Sequence, residues 1–228
     1  MKSAKLIVAT AFLLAACTAK EAAPPADTAA PAASATDDPD VNVTGGAIPA
    51  GYAARTDRPD ADITGASYSP SGNTWEVKTG PAHIVYASKD SASGDYTAST
   101  TITQLEKPTH PEAYGLFIGG RDLDQPGQAY TYFVVRGTGE LLVKVREGDK
   151  TRDVVKWTAN ADVPKEDATG KSTYALSASV KGDAVNFSVN GKQVASVKKA
   201  GLPTDGVAGL RINHNLHVNA TPVSIQKP

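Results

Sequence analysis

From residue 82 onward, apolar and polar residues alternate with a period of two in one short segment after another. "AHIVYAS" (82–88), "YTASTTITQL" (96–105), "YTYFVVRG" (130–137), "ELLVKVRE" (140–147), "STYALSASVKG" (172–182) and "AVNFSVNGKQVASV" (184–197) all follow it, as do "YGLFIGG" (114–120) and "DVVKWTA" (153–159). Successive side chains of a strand point to opposite faces, so this alternation predicts strands with one face on a core. Turn clusters such as "SASGD", "RGTGE", "REGDK" and "VKGD" separate them. Asn190-Gly191, between "NFSV" and "KQVASV", is the strongest two-residue hairpin signal in the chain. No window carries the 3.6-residue period of a long amphipathic helix. Many short strands at this spacing predict an all-β, antiparallel sandwich or barrel.

One segment departs from the rule that the exposed positions are mixed. In "GLRINHNLHVN" (209–219), Arg211, Asn213, Asn215, His217 and Asn219 occupy alternate places, with Leu210, Ile212, His214, Leu216 and Val218 between them. Asparagine is depleted from strands and favoured in turns, so two readings stay open. If the strand runs through, one face is a row of guanidinium, amide and imidazole groups, and His214 belongs to the apolar row as a hydrogen-bonded core histidine. If "INHNLH" holds a turn, the asparagines supply turn chemistry and the row does not exist.

The N-terminal fifth reads differently. Lys2 and Lys5 precede an apolar run from Leu6 to Ala16, and "LAAC" ends it with small residues, the pattern of a secretory signal over residues 1–16. Such a run is too short to span a membrane. The "LAAC" ending also resembles the lipobox of bacterial lipoproteins, which implies cleavage before Cys17 and acylation of its thiol and new amino group. Several acyl chains, at about 0.8 kcal/mol per buried CH₂, make a stable anchor. Thr18 stands where that resemblance would put Asp for inner-membrane retention, which points to the outer membrane of a two-membrane host. Residues 17–50, with prolines at 24, 25, 31, 39 and 49, have almost nothing to bury and predict a disordered tether. As a coil it reaches on the order of 30 Å. Residues 51–228 then form one domain. Removal of Lys2 and Lys5 with the signal leaves 21 basic against 24 acidic side chains and no basic block, which argues against nucleic acid as a partner. Cys17 is the only cysteine, so no intrachain disulfide can form.

"YGLFIGG", "YTYFVVRGTGELLVKV", "YALSASVKGDAVNFSVNGKQVASV" and "GVAGLRI" together resemble the concanavalin A-like lectin/glucanase group, over roughly residues 75–225. Among its relatives the 3-keto-disaccharide hydrolase-like and laminin G-like domains are the most similar. The resemblance implies a two-sheet jelly roll with one concave sheet and ligands held in the concavity or on its rim loops. Fold alone does not imply function.

Candidate chemistry is sparse. The E-x-D-x-x-E strand of this group's glucanases has its nearest counterpart in "EGDKTR" (147–152), where Arg152 replaces the last Glu. There is no HExxH, no G-x-S-x-G, and "ATGKS" lacks the first glycine of a phosphate-binding loop. No cofactor is implied beyond a structural calcium, for which Asp60, Asp62, Asp122 and Asp124 offer oxygens, as calcium sites do in several relatives. His214 and His217 fall on opposite faces of a continuous strand and cannot share one ion there without a bulge. Two constellations remain. Arg211, Asn213, Asn215 and His217 suit the hydroxyls of a sugar, with Tyr132 or Trp157 to stack on its ring and Arg136 on the same parity as Tyr132. His110, held extended between Pro108 and Pro111, with Glu112 and Arg121 forms a second candidate rim, or a salt-bridged loop.

These observations predict a lipid-anchored, exported protein whose sandwich binds a glycan or another extracellular ligand without catalysis. A sugar hydrolase and a structural or assembly lipoprotein are the alternatives. The anchor is directly testable: Cys17→Ala removes both the recognition residue and the acyl acceptor, so radiolabelled palmitate should enter the wild type and not the variant. Equal labelling of both would refute the assignment.

Overall fold

A computed structural model describes residues 47–228; the expectations for the signal, Cys17 and most of the tether lie outside the described residues. The described chain consists of fifteen strands and a single 3-10 turn at Ile63–Gly65. One sheet has seven strands in the order β1 (Ala53–Thr56), β4 (His83–Ala92), β13 (Gly206–Ile212), β6 (Ala113–Arg121), β7 (Ala129–Arg136), β8 (Glu140–Glu147) and β9 (Lys150–Ala159). The other runs β12 (Lys192–Lys198), β11 (Ala184–Val189), β10 (Ser172–Lys181), β5 (Tyr96–Gln104), β14 (Leu216–Ala220), β3 (Thr74–Thr79) and β2 (Ala66–Ser71), with β15 (Ser224–Gln226) also paired to β5. Every pairing is antiparallel. This is an antiparallel sandwich, as the alternation predicts, and the two-sheet jelly roll that the resemblance implies. Among the described residues no helix is long and apolar enough to cross a membrane.

The core lies between the sheets. Val85, Leu116, Phe133, Val143, Leu210 and Ile212 of the first sheet meet Ala98, Ile102, Leu176, Phe187 and Val218 of the second, all almost fully buried. Phe133 and Phe187 pack across the gap with ring centroids 5.1 Å apart. Ile48 packs against this core, two residues before the boundary expected from composition. At the Asn190-Gly191 turn both residues have positive φ, 50° and 78°, as a type I′ hairpin requires. Strands β1 to β3 were not visible in the alternation. Strand β2 is an edge strand carrying Pro70, and both it and β3 keep several polar residues exposed or half-buried.

The face of the seven-stranded sheet turned away from the core carries a second apolar cluster: Ile84, Tyr86, Phe117, Tyr130, Tyr132, Val134 and Leu142. The register places Arg211 opposite Ile84 and Gly115, and Gly209 opposite Tyr86 and Phe117, so Arg211 shares this face. Gly209 is required here: a Cβ would come within 2.6 Å of the Phe117 ring and 2.5 Å of the Val85 carbonyl. Leu123 joins the cluster from the loop after β6, which Arg55 holds by donating to the carbonyls of Leu123 (3.1 Å) and Gln125 (2.6 Å).

His83, on β4, is fully buried. Its Nδ1 lies 2.8 Å from the Pro81 carbonyl, which can only accept, so Nδ1 carries the proton. Nε2 therefore accepts from the Tyr68 hydroxyl at 2.5 Å. Burial pushes the imidazole down to about 4, and the Pro81 carbonyl offsets only part of that. The unfolded chain thus takes up this proton first. Stability should be complete above about pH 6.5 and fall toward pH 4 by about 1.4 kcal/mol per pH unit from this residue alone. Urea unfolding at pH 7, 6, 5 and 4 should show a shallower decline for His83→Gln than for the wild type; parallel declines would show that His83 does not set it.

Candidate functional site

Three segments meet at one end of the sandwich: the stretch after β1, the loop before β6, and the residues joining β13 to β14. Asp57 follows β1 and is fixed by its backbone N–H to the Ala82 carbonyl at 2.9 Å. Its carboxylate receives both arms of Arg211, Nη1 to Oδ1 at 2.5 Å and Nη2 to Oδ2 at 2.6 Å, with Arg146 Nη2 3.6 Å from Oδ1. Burial alone would raise the Asp57 carboxyl, but the charge and hydrogen bonds of Arg211 and the charge of Arg146 outweigh it and hold it below the usual range. The Arg211 guanidinium lies 5.5 Å from the Tyr132 ring centre, where a cation on an aromatic face is favourable.

The chain does not run through from 209 to 219. Strand β13 ends at Ile212, β14 begins at Leu216 in the other sheet, and Asn215 takes a left-handed φ of 54°. Asparagine tolerates that conformation better than most residues. The Asn213 N–H donates to the Ala113 carbonyl and the Asn215 N–H to the Thr79 carbonyl, each at 3.0 Å, so the turn is tied to both sheets. Thr79 Oγ1 adds a bond to the Asn213 carbonyl at 2.8 Å. The continuous polar row is therefore corrected to a turn, and His214, expected in the apolar row, is a half-exposed turn residue.

His214 Nε2 reaches Glu112 Oε1 at 2.7 Å. His110 Nε2 reaches the same oxygen at 3.0 Å, and the two Nε2 atoms are 3.5 Å apart. Asn213 Nδ2 donates to Glu112 Oε2 at 2.9 Å, while Arg211 Nη2 donates to Asn213 Oδ1 at 3.1 Å. A single polar chain thus runs from Asp57 through Arg211, Asn213 and Glu112 to the two imidazoles. Burial raises the Glu112 carboxyl, yet the hydrogen bonds from His214 and Asn213 and the charges of His214 and His110 prevail and hold it low. Asn215 Nδ2 donates to Thr109 Oγ1 at 2.8 Å, beside His110 Nδ1. His214 borders a cleft of about 360 Å³ with Asp57, Arg58, Ala61, Gly80, Pro81 and Ala82. His110 and Glu112 border a smaller one of about 120 Å³ with Thr109, Gly137, Thr138 and Glu166.

The structure thus brings together Arg211, Asn213 and Asn215 with His110 and Glu112, the two constellations that the sequence kept apart. The other candidates do not join this hydrogen-bonded group. His217 lies on the second sheet between Glu76 (2.8 Å) and Glu106 (3.1 Å). Arg121 ends β6, about 26 Å of strand from Ala113. Tyr132 is buried beneath Arg211, and Arg136 pairs with Glu140 at 2.7 Å while stacking 4.2 Å from the ring centre of exposed Trp157. Asp62 caps the 3-10 turn by accepting from the Thr64 N–H at 2.9 Å, and Asp122 sits at a positive φ of 49° in the loop after β6. Neither these two nor Asp60 and Asp124 join any group of three carboxylate or imidazole ligands among the described residues. Asp57, Arg146 and His214 are site residues that the periodicity missed. The repeated asparagines around His214 were the available signal for a turn there.

No known family and no curated protein matches the sequence. Solved structures do match the fold. The carbohydrate binding module CBM66 from Bacillus subtilis is similar at a TM-score of 0.53 and 14% identity, covering 78% of this chain and 96% of that one. A Bacillus subtilis protein of unknown function with a galectin-like fold gives 0.53 and 11%, over 77% and 88%. A GH16 protein of the Bacteroides ovatus mixed-linkage glucan PUL, in complex with G4G4G3G product, gives 0.52 and 9%, over 77% and 94%. At these identities the likeness establishes the jelly-roll fold class.

Removing Arg211 empties a buried position and leaves the half-buried Asp57 carboxylate with only Arg146, 3.6 Å away. Arg211→Ala should therefore destabilise by about 3 kcal/mol, well beyond a surface change. Urea unfolding measures it, and a loss under about 1 kcal/mol would mean that the pair does not hold the rim together.

Proposed function

We propose that the protein is an exported lipoprotein, anchored through Cys17, whose jelly-roll domain binds a glycan at this rim without cleaving it. The observation that carries the reading is the 360 Å³ cleft bordered by Asp57, Arg58 and His214, whose walls are already fixed by the Asp57–Arg211–Asn213–Glu112 chain. Sugar hydroxyls both donate and accept, and the cleft offers a guanidinium, a carboxylate and an imidazole. Groups held in place before binding cost less ordering when the ligand arrives. The fold similarity to a carbohydrate binding module supports the same class of ligand.

The chemistry of the two carboxylates supports a non-catalytic role. Glycoside hydrolysis needs a pair, one of them a protonated acid. Both Asp57 and Glu112 are held below their ordinary range, so both are ionised at neutral pH. Both oxygens of each are also engaged, Asp57 by Arg211 and Glu112 by the imidazoles and Asn213.

Arg58 is exposed, borders the cleft and lies outside the hydrogen-bonded chain, which makes it the informative substitution. On a glycan array the full chain should retain a defined set of glycans, and Arg58→Ala should lower that signal at least tenfold. Its stability should stay within about 0.5 kcal/mol of the wild type. Mass spectrometry of the retained glycan should show unchanged length after prolonged incubation. Retention of no glycan, or the same retention by Arg58→Ala, would overturn the site; shortened glycan would replace binding by hydrolysis.

A further inference from the structure

Among the described residues, one group of side chains has the composition and spacing of a metal centre: His110, Glu112 and His214, whose ligand atoms all lie within 4.8 Å of one another. The local sequence explains the first two. Pro111 bars the helical conformation at His110, and the chain, bending at Thr109 and His110, brings His110 Nε2 to 3.0 Å from Glu112 Oε1 two residues on. The third arrives because the Asn213 N–H ties the β13–β14 turn to the carbonyl of Ala113, the residue next to Glu112.

The distances fit a tetrahedral ion. With metal–ligand bonds of about 2.0–2.1 Å, tetrahedral donor atoms stand about 3.3–3.4 Å apart. The three separations here are 2.7, 3.0 and 3.5 Å. The two imidazole–carboxylate gaps are the short ones, as N–H···O hydrogen bonds require, and exchanging those protons for an ion opens each by a few tenths of an ångström. Both histidines present Nε2, which leaves Nδ1 for an outer partner. For His110 that partner is Thr109 Oγ1, at 3.2 Å. Asn213 fixes the other carboxylate oxygen of Glu112 at 2.9 Å and is itself fixed by Arg211. Outer bonds of this kind orient ligands and are part of what distinguishes a metal site from a chance cluster.

We propose that His110, Glu112 and His214 bind one divalent transition-metal ion of the zinc class through His110 Nε2, His214 Nε2 and Glu112 Oε1. Imidazole with one carboxylate suits zinc and its neighbours rather than calcium or magnesium, which take all-oxygen sets. Three protein ligands leave a fourth position for water or for an oxygen donor entering from a bordering cleft. The inference does not depend on what the clefts bind.

Zinc itself is the probe. The full chain carrying Cys17→Ser, which removes the only thiol, is stripped with chelator and titrated with Zn²⁺ against a chromophoric competitor. One ion per chain is expected, with affinity at least a hundredfold weaker in Glu112→Gln and in His110→Ala/His214→Ala, and unchanged in His217→Ala. Asn213→Ala should weaken it by about tenfold, as loss of an outer partner does. Co²⁺ should give the intense visible absorption of a tetrahedral or five-coordinate ion in the parent and not in Glu112→Gln. Circular dichroism on Glu112→Gln, which keeps the size of the side chain, separates lost ligation from lost fold. No zinc bound by the parent, or equal binding by a folded Glu112→Gln, overturns the proposal.

Discussion

Between Ile212 and Leu216 the chain has three residues in which to leave one sheet and enter the other, and much of the rim is a consequence of that constraint. A crossing so short cannot satisfy its own backbone, so Asn213 and Asn215 borrow carbonyls from Ala113 and Thr79 on opposite sheets. Those two bonds fix where β3 and β6 stand relative to one another. They also hold the side chains of Asn213 and His214 against Glu112, which begins the rim at the foot of β6. The left-handed φ at Asn215 reverses the chain, and asparagine is among the few residues other than glycine that accept it readily.

Electrostatics then locks what the backbone places. The Arg211 guanidinium is buried and fully charged, and the Asp57 carboxylate supplies the opposite charge that makes that burial tolerable. Because Arg211 also donates to Asn213, the ion pair and the imidazole cluster are one network. The two carboxylates within it serve opposite neighbours: Asp57 compensates guanidinium charge, and Glu112 gathers imidazoles. Both are held ionised at neutral pH.

Much of this was legible in the sequence, and the rest was hidden for identifiable reasons. Period-two alternation gave the strands from His83 to Val197 and the placement of Leu210 and Ile212 in the core, because one face of each strand is buried on a continuous apolar layer. The same parity put Arg211 on the face of Tyr132. It failed at His214, because alternation assumes that the strand continues, and the sheet change interrupts it. Nothing periodic marks Asp57, which sits in an irregular stretch after a four-residue strand. The union of His110 and Glu112 with a residue about a hundred positions later is a property of topology, and spacing along the chain cannot express it.

The sandwich also has open sheet margins, and each is composed differently. Strand β1 is four residues long, β2 carries Pro70, β12 begins and ends with Lys192 and Lys198, and β9 places Lys150, Arg152, Asp153 and Lys156 along its length. Shortness, a missing N–H and rows of charge are the known means of discouraging strand addition by another chain. A sandwich with bare margins would pair edge to edge with any extended chain that met it, whereas these four margins oppose that pairing each by its own means.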